Sequence, residues 1–97
     1  MILRMLLQLN LIVYGRVQGV WFRESTCEQA RRLRLVGKVE NNSNGTVGIV
    51  AEGTKDALEE FKTWCRQGPK LARVEKVEEE WKEIEKLSFD SFSSEFY

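Results

Sequence analysis

The order of hydrophobic patterns along the 97 residues predicts an α+β fold, with elements in the order β-α-β-β-α-β and a last strand after them. Apolar residues alternate in several segments, as they do in half-buried strands. In two other segments they recur every three to four positions, as on amphipathic helices. This order is that of the ferredoxin-like split βαβ sandwich, an antiparallel sheet with two helices on one face. We expect residues 1–97 to form a single domain.

The first strand and the first helix are predicted within residues 6–33. The strand covers Leu6 to Tyr14, and its alternating apolar positions are Leu7, Leu9, Leu11 and Val13. The helix is indicated by residues that share one face at helical spacing, namely Phe22, Thr26, Ala30 and Leu33. Glu24 lies near the helix start, where a carboxylate suits the helix dipole.

A β-hairpin is predicted next. Its strands are Val36 to Asn41 and Thr46 to Glu52, and the second carries Val47, Ile49 and Ala51 on one face. Asn44 and Gly45 lie between the strands, and both residue types tolerate the positive φ angles of tight hairpin turns.

The second half of the chain repeats the pattern of a helix followed by strands. Thr54 is the expected N-cap of a helix that ends at Gly68-Pro69, and its inward residues are Leu58, Phe61, Trp64 and Cys65. Residues 71–81 look extended, but their alternation slips between Val74 and Val77, which predicts a β-bulge. A last strand is expected within residues 84–97.

Composition narrows the possible functions. Fifteen basic and fifteen acidic residues give a net charge of zero, which argues against a general nucleic-acid binder. No stretch is long enough to span a membrane, and residues 1–7 are interpreted as the start of the first strand rather than a signal peptide. We therefore expect a cytoplasmic protein. The chain has no histidine, so the commonest general base and metal ligand are missing.

The segment from Tyr14 to Arg23 has the features of a phosphate-binding site. Gly15 and Gly19 lie between the strand and the helix, where glycines allow backbone N–H groups to point into one concavity. A helix N-terminus and a guanidinium next to that loop can both bind phosphate oxygens. The alternative is a plain turn with a surface arginine, and the residue pattern alone leaves the two readings about equal. The glycine spacing matches neither a Walker A loop nor a dinucleotide-binding motif.

Other candidate residues have strong structural explanations. Asn41, at the end of the second strand, could hold a water molecule near the helix N-terminus, but asparagine is also a favoured turn residue. Cys27 is a poor candidate nucleophile without a histidine partner, and both it and Cys65 are expected to be reduced. The acidic residues 75–85 are interpreted as a solvated strand face, and the aromatic residues Phe61, Trp64 and Phe89 as core.

Two motifs resemble the signatures of the acylphosphatase family. The first is Gly15-Arg-Val-Gln-Gly-Val-Trp-Phe-Arg23, and the second is Gly37-x-Val-x-Asn41-x-x-x-Gly45-Thr-Val47. The resemblance implies a small, free-standing enzyme that hydrolyses acyl phosphates to a carboxylate and inorganic phosphate.

By position in the motifs, the phosphate-binding backbone falls on the loop formed by Gly15, Arg16, Val17, Gln18, Gly19 and Val20. Arg23 would hold the phosphate and Asn41 would position the attacking water. The resemblance implies no metal and no cofactor, because a carboxylate is a good leaving group and the chemistry needs mainly charge stabilisation and water placement. The expected partners are the acyl phosphate and inorganic phosphate. We expect a monomer with no nucleic-acid or membrane partner.

Three residues depart from the family pattern. Lys38 lies where the family usually has an aromatic residue, Glu40 where it rarely has an acid, and Arg34 where a glycine usually precedes Leu35. Two other functions remain open from the residues. One is a non-catalytic anion-binding or regulatory module on the same fold. The other is RNA binding through the sheet, which the aliphatic central-strand residues Val47, Ile49 and Val50 disfavour.

Overall fold

A computed structural model describes residues 5–95 of the chain. Within this range the strands are β1 (Leu6–Arg16), β2 (Val36–Asn41), β3 (Val47–Thr54), β4 (Arg73–Ile84) and β5 (Phe92–Glu95). The helices are α1 (Phe22–Arg32) and α2 (Lys55–Gln67). Every predicted element is present, and β1 continues two residues beyond the predicted end. Of the predicted first and last segments, residues 1–4 and 96–97 lie outside the described residues.

The five strands form one sheet in the order β4-β1-β3-β2-β5. The first four strands pair antiparallel, so β3 lies between β1 and β2 as in a split βαβ unit. The predicted ferredoxin-like α+β fold is confirmed. The sheet as a whole is mixed, because β5 joins the edge of β2 in parallel orientation.

The core lies between the sheet and the two helices. Alternate residues of β1 and β3 are buried, as the sequence predicts, and they pack with the buried faces of α1 and α2. Phe61 of α2 meets Phe92 of β5 edge-on, with ring centroids 5.9 Å apart, and both rings are buried. Burying a side chain of this size contributes roughly 1.5–3 kcal/mol, so Phe92 anchors β5 to the rest of the fold. Trp64 and Phe89, expected in the core, are only partly buried.

The predicted β-bulge is present where β1 pairs with β4. Tyr14 pairs with Lys76 and Gly15 with Val74, so Glu75 is the extra residue. The backbones approach closely here. A Cβ atom on Gly15 would lie 2.1 Å from the carbonyl oxygen of Arg73, so only glycine fits at this position.

The N-cap of α2 and the β2–β3 loop both differ in detail from the prediction. Thr54 is the N-cap residue of α2, but its side chain makes no capping hydrogen bond. In the β2–β3 loop only Gly45 has positive φ, whereas Asn44 does not. Asn44 instead accepts hydrogen bonds at Oδ1 from the backbone N–H of Thr46 (3.1 Å) and from its hydroxyl (2.6 Å). This arrangement closes a wider loop than a two-residue hairpin turn.

The connection from β4 to β5 is attached to the sheet through Glu52 of β3. The Glu52 side chain is fully buried, and its carboxylate accepts hydrogen bonds from the backbone N–H of Ser88 (2.6 Å) and from Gln8 Nε2 (2.7 Å). These bonds satisfy the buried oxygens and fix the path of the chain towards β5.

Candidate active site

The loop between β1 and α1 is held in place by two buried valines. Val17 is 1% exposed and Val20 is 4% exposed, so their side chains anchor the loop in the core. Between and after them the chain takes the left-handed conformation, with φ of 72° at Gly19 and 66° at Trp21. The loop therefore turns sharply, and α1 begins directly after it at Phe22.

A cavity of about 380 Å³ opens where this loop meets α1. The residues that line it are Val17, Gly19, Trp21, Phe22, Arg23, Glu24, Asn41 and Ser94. They come from the loop, the first turn of α1, the end of β2 and the strand β5. The N-terminus of α1 contributes free backbone N–H groups and partial positive charge to this region, which favours a bound anion.

Gln18 fixes the loop to the β2–β3 hairpin. Its Nε2 donates to the carbonyl oxygens of Asn42 (2.8 Å) and Thr46 (2.9 Å). The Gln18 side chain is therefore turned towards the hairpin and does not line the cavity. It sets the position of the loop relative to Asn41, the residue before Asn42.

Arg23 brings a positive charge to the cavity from the first turn of α1. Its Nη1 donates a hydrogen bond of 3.0 Å to the carbonyl oxygen of Glu95 in β5. The side chain is partly buried, which limits the number of positions that the guanidinium can take. A guanidinium held in this way can present two N–H donors to a phosphate.

Asn41 ends β2, where it pairs with Val47 of β3, and its side chain lines the cavity. Its Oδ1 is buried and has no hydrogen-bond partner among the described residues, and the same is true of Ser94 Oγ. A buried polar atom without a partner costs about 1–3 kcal/mol, so both atoms are sites where water or a ligand binds favourably.

The structure brings together four of the predicted site residues, Val17, Gly19, Arg23 and Asn41, at the cavity wall. Gly15 and Arg16 lie in β1, where they pair with Val74 and Arg73, and Gln18 and Val20 lie in the loop without lining the cavity.

Sequence reasoning missed the contributions of Trp21 and Ser94 to the cavity wall. Trp21 lies within the Gly15–Arg23 motif, two residues after Gly19, so the motif could have indicated that Trp21 lies at the same site. Ser94 gave no signal, because nothing in the sequence indicates which strand β5 joins.

Lys38 and Glu40, which precede Asn41 on β2, face away from the cavity. Lys38 Nζ and Glu40 Oε1 are 3.8 Å apart, and neither residue lines the cavity. Successive side chains of a strand point to opposite faces, so Asn41 and the buried Val39 share one face while Lys38 and Glu40 share the other.

The two cysteines are free and buried. Burial raises the pKa of the Cys27 thiol above its ordinary value, although the neighbouring Arg31 and Arg23 oppose this effect. Burial also raises the pKa of Cys65. Both thiols are therefore protonated at neutral pH and are weak nucleophiles. Residues 5–95 hold no group of three or more acidic, histidine or cysteine side chains placed to bind a metal ion.

Comparison with known proteins identifies the family. The sequence model of the acylphosphatases matches residues 9–94, which is most of the chain. The chain belongs to the acylphosphatase family. An acylphosphatase from Thermococcus kodakarensis is 49% identical over 78 residues, which are 80% of this chain and 86% of that protein.

Solved acylphosphatase structures share the fold. The acylphosphatase from Coxiella burnetii matches with a TM-score of 0.84 at 35% identity, covering 98% of this chain and 100% of that chain. The acylphosphatase from Bacillus subtilis matches with a TM-score of 0.87 at 34% identity, covering 93% of this chain and 99% of that chain. The reaction class is therefore hydrolysis of acyl phosphates to a carboxylate and phosphate. Neither helix of residues 5–95 has the length and apolar character needed to cross a membrane.

Proposed function

We propose that this acylphosphatase binds the phosphoryl group between the β1–α1 loop and Arg23, and that Asn41 positions the attacking water. The observation that carries the proposal is the single cavity that joins the loop, the N-terminus of α1, Arg23 and Asn41. Each of these features suits one part of the reaction.

The phosphoryl group needs donors and positive charge. The backbone N–H groups of residues 17–20 and the N-terminus of α1 supply donors without charged side chains. Arg23 supplies the full positive charge and can bind two phosphoryl oxygens together. Gly15 and Arg16 lie in β1, where they pair with β4, so we assign phosphate contact to the loop backbone of residues 17–20 and infer that Gly15 allows β1 to approach β4.

The attacking water needs an acceptor that is not already used. Asn41 Oδ1 is buried, lines the cavity and lacks a hydrogen-bond partner within residues 5–95. It can accept a hydrogen bond from the attacking water and so direct a lone pair of the water oxygen towards phosphorus. An amide is not a general base, and none is needed when the leaving group is a carboxylate and the water is well placed. Charge on the phosphoryl oxygens is balanced by Arg23 and the loop, so this scheme uses no metal or cofactor.

Hydrolysis of benzoyl phosphate, with phosphate as a competitive inhibitor and a chelator present, tests these roles. We expect Arg23→Ala to lose both phosphate binding and turnover, and Asn41→Ala to lose turnover while phosphate inhibition is kept. Arg32→Ala is the matched control, because Arg32 lies on the same helix but outside the cavity and bonds to Gln29 and Glu60. Turnover at the parent rate in Arg23→Ala would overturn the assignment.

The same experiment tests the alternative of a non-catalytic anion-binding module. If the parent protein is folded and binds phosphate but does not hydrolyse benzoyl phosphate, the result would favour that module. No contact within residues 5–95 favours it. We also propose a cytoplasmic monomer whose partners are the acyl phosphate and phosphate alone. The net charge of zero supports the absence of a nucleic-acid partner.

A further inference from the structure

Two residues that line the same cavity each carry a buried polar atom without a hydrogen-bond partner among residues 5–95. The atoms are Asn41 Oδ1 and Ser94 Oγ, and they are the buried side-chain polar atoms of residues 5–95 for which no hydrogen bond occurs. Native proteins rarely leave such atoms unpaired, and exceptions often mark a site that a water or ligand completes. The presence of two in one cavity points to a shared partner.

Strand pairing brings the two side chains to the same face of the sheet. β5 runs parallel to β2, and Ser94 pairs with Val39. Val39 and Asn41 are two positions apart on β2, so their side chains point to the same face. Ser94 and the buried Phe92 are related in the same way on β5. Both faces point towards the helices, so Asn41 and Ser94 approach the cavity from neighbouring strands.

We propose that Ser94 is the second positioning residue for the attacking water, acting together with Asn41. This inference rests on the proposed role of Asn41. The water donates one hydrogen bond to Asn41 Oδ1 and the other to Ser94 Oγ, and its lone pair then faces the phosphoryl group on Arg23. With Asn41 alone, the water could rotate about its single hydrogen bond.

Neither residue exchanges a proton in this step. The water oxygen forms a bond to phosphorus, the bond between phosphorus and the acyl oxygen breaks, and its electron pair leaves with the carboxylate. Both water protons end on the phosphate, which leaves as the dihydrogen form. Ser94 and Asn41 act only as hydrogen-bond acceptors, so no further reactant is required.

Ser94→Ala tests this role by removing the hydroxyl and keeping the strand. A hydrogen bond of this kind is worth about 0.5–1.5 kcal/mol, so we expect kcat to fall roughly 3- to 10-fold. We expect KM for benzoyl phosphate and inhibition by phosphate to stay unchanged, because neither depends on the water. We also expect the melting temperature to stay level or rise, because the variant no longer buries an unpaired hydroxyl.

Two further variants control for other effects of the substitution. Ser93→Ala changes the neighbouring serine, which faces away from the cavity and donates to Glu95 Oε1 at 3.5 Å, and we expect it to keep the parent kcat. Ser94→Thr retains a hydroxyl and should keep more of kcat than Ser94→Ala does. If Ser94→Ala keeps the parent kcat, or lowers kcat only together with the melting temperature, the inference is wrong.

A double variant separates this inference from the proposed function. If one water is shared, Ser94→Ala should lower kcat in the parent background but cause little further loss in the residual turnover of Asn41→Ala, measured at high enzyme concentration. If the losses in kcat of the two single variants multiply in the double variant, the shared water would be wrong. The separate role of each residue would still stand. If Asn41→Ala itself kept the parent rate, the proposed role of Asn41 would be wrong, and the shared water would be wrong with it even if Ser94→Ala lowered kcat.

Discussion

Arg23 Nη1 donates a hydrogen bond of 3.0 Å to the carbonyl oxygen of Glu95, a residue 72 positions later in the chain. This bond joins the first turn of α1 to β5, the last strand along the chain within residues 5–95. The carbonyl neutralises none of the guanidinium charge, since it is a neutral acceptor, but it orients the side chain. The cation of the cavity is therefore positioned by the chain segment that also supplies Ser94.

Gln18→Ala is expected to lower kcat/KM by about tenfold, because two hydrogen bonds that fix the loop next to Asn41 are lost, and each is worth about 0.5–1.5 kcal/mol. Steady-state kinetics with benzoyl phosphate measures the effect. Gln67→Ala, at the exposed end of α2, is the matched control and should behave as the parent does. An unchanged kcat/KM in Gln18→Ala would mean that the loop holds its position without these bonds.

Arg34→Gly is expected to stabilise the protein by about 1 kcal/mol. Arg34 has φ of 60°, a left-handed conformation that costs a residue with a Cβ atom roughly 1–2 kcal/mol, and its side chain is exposed. Thermal or urea unfolding measures the change. The reciprocal control is Gly45→Ala, because Gly45 has φ of 91° and no atom lies within 4 Å of the added Cβ. This substitution should destabilise the protein by about 1 kcal/mol. A lower melting temperature for Arg34→Gly would contradict the argument.

Glu79 is expected to make stability depend on pH in the acid range. Hydrogen bonds from Trp81, and then from Arg66 and Lys62, hold the pKa of Glu79 below its ordinary value of 4.5. A lowered folded-state pKa contributes stability above the unfolded pKa, and this contribution is lost as the pH falls through the folded value. Because Glu79 lies near the surface, the contribution at pH 7 is about 1 kcal/mol or less.

Urea unfolding of Glu79→Gln at pH 7 and at pH 3 measures this contribution. The variant should be less stable than the parent at pH 7, and the difference should shrink at pH 3. Glu80→Gln is the matched control, because Glu80 is adjacent and exposed and makes no ion pair within residues 5–95. A difference that stayed the same at both pH values would show that the Glu79 charge is not responsible.

Local patterns in the sequence were sufficient to predict most of the fold. The slip between Val74 and Val77 predicted the bulge, and the structure has it at Glu75 because Gly15 brings β1 against β4. Asn44 and Gly45 predicted the hairpin at the correct position in the chain, but they did not predict the geometry of its loop. Asn44 bonds to Thr46 through its side chain, which is an alternative to positive φ that residue type alone does not distinguish.

The part of the site that could not be predicted depends on long-range contacts. Arg23 and Asn41 follow from motifs, and the structure places both at the cavity. Ser94 does not, because a four-residue strand carries no signal for which partner it pairs with or in which direction. Lys38 and Glu40 depart from the family pattern close to Asn41 in sequence, but strand alternation turns their side chains to the other face.

The parallel pairing of β5 with β2 has a consequence for how the protein becomes active. β5 follows β4 in the chain but lies at the opposite edge of the sheet, so it joins the sheet only after a connection whose path is fixed by Glu52. β5 has only four residues, and its contacts are with β2, with Arg23 of α1 and with Phe61 of α2, so it can be held in place only once those elements have formed. A chain in which β1 to β4 have already paired would still lack Ser94 and the bond that orients Arg23. Catalytic competence is thus expected to appear late during refolding, after most of the secondary structure has formed.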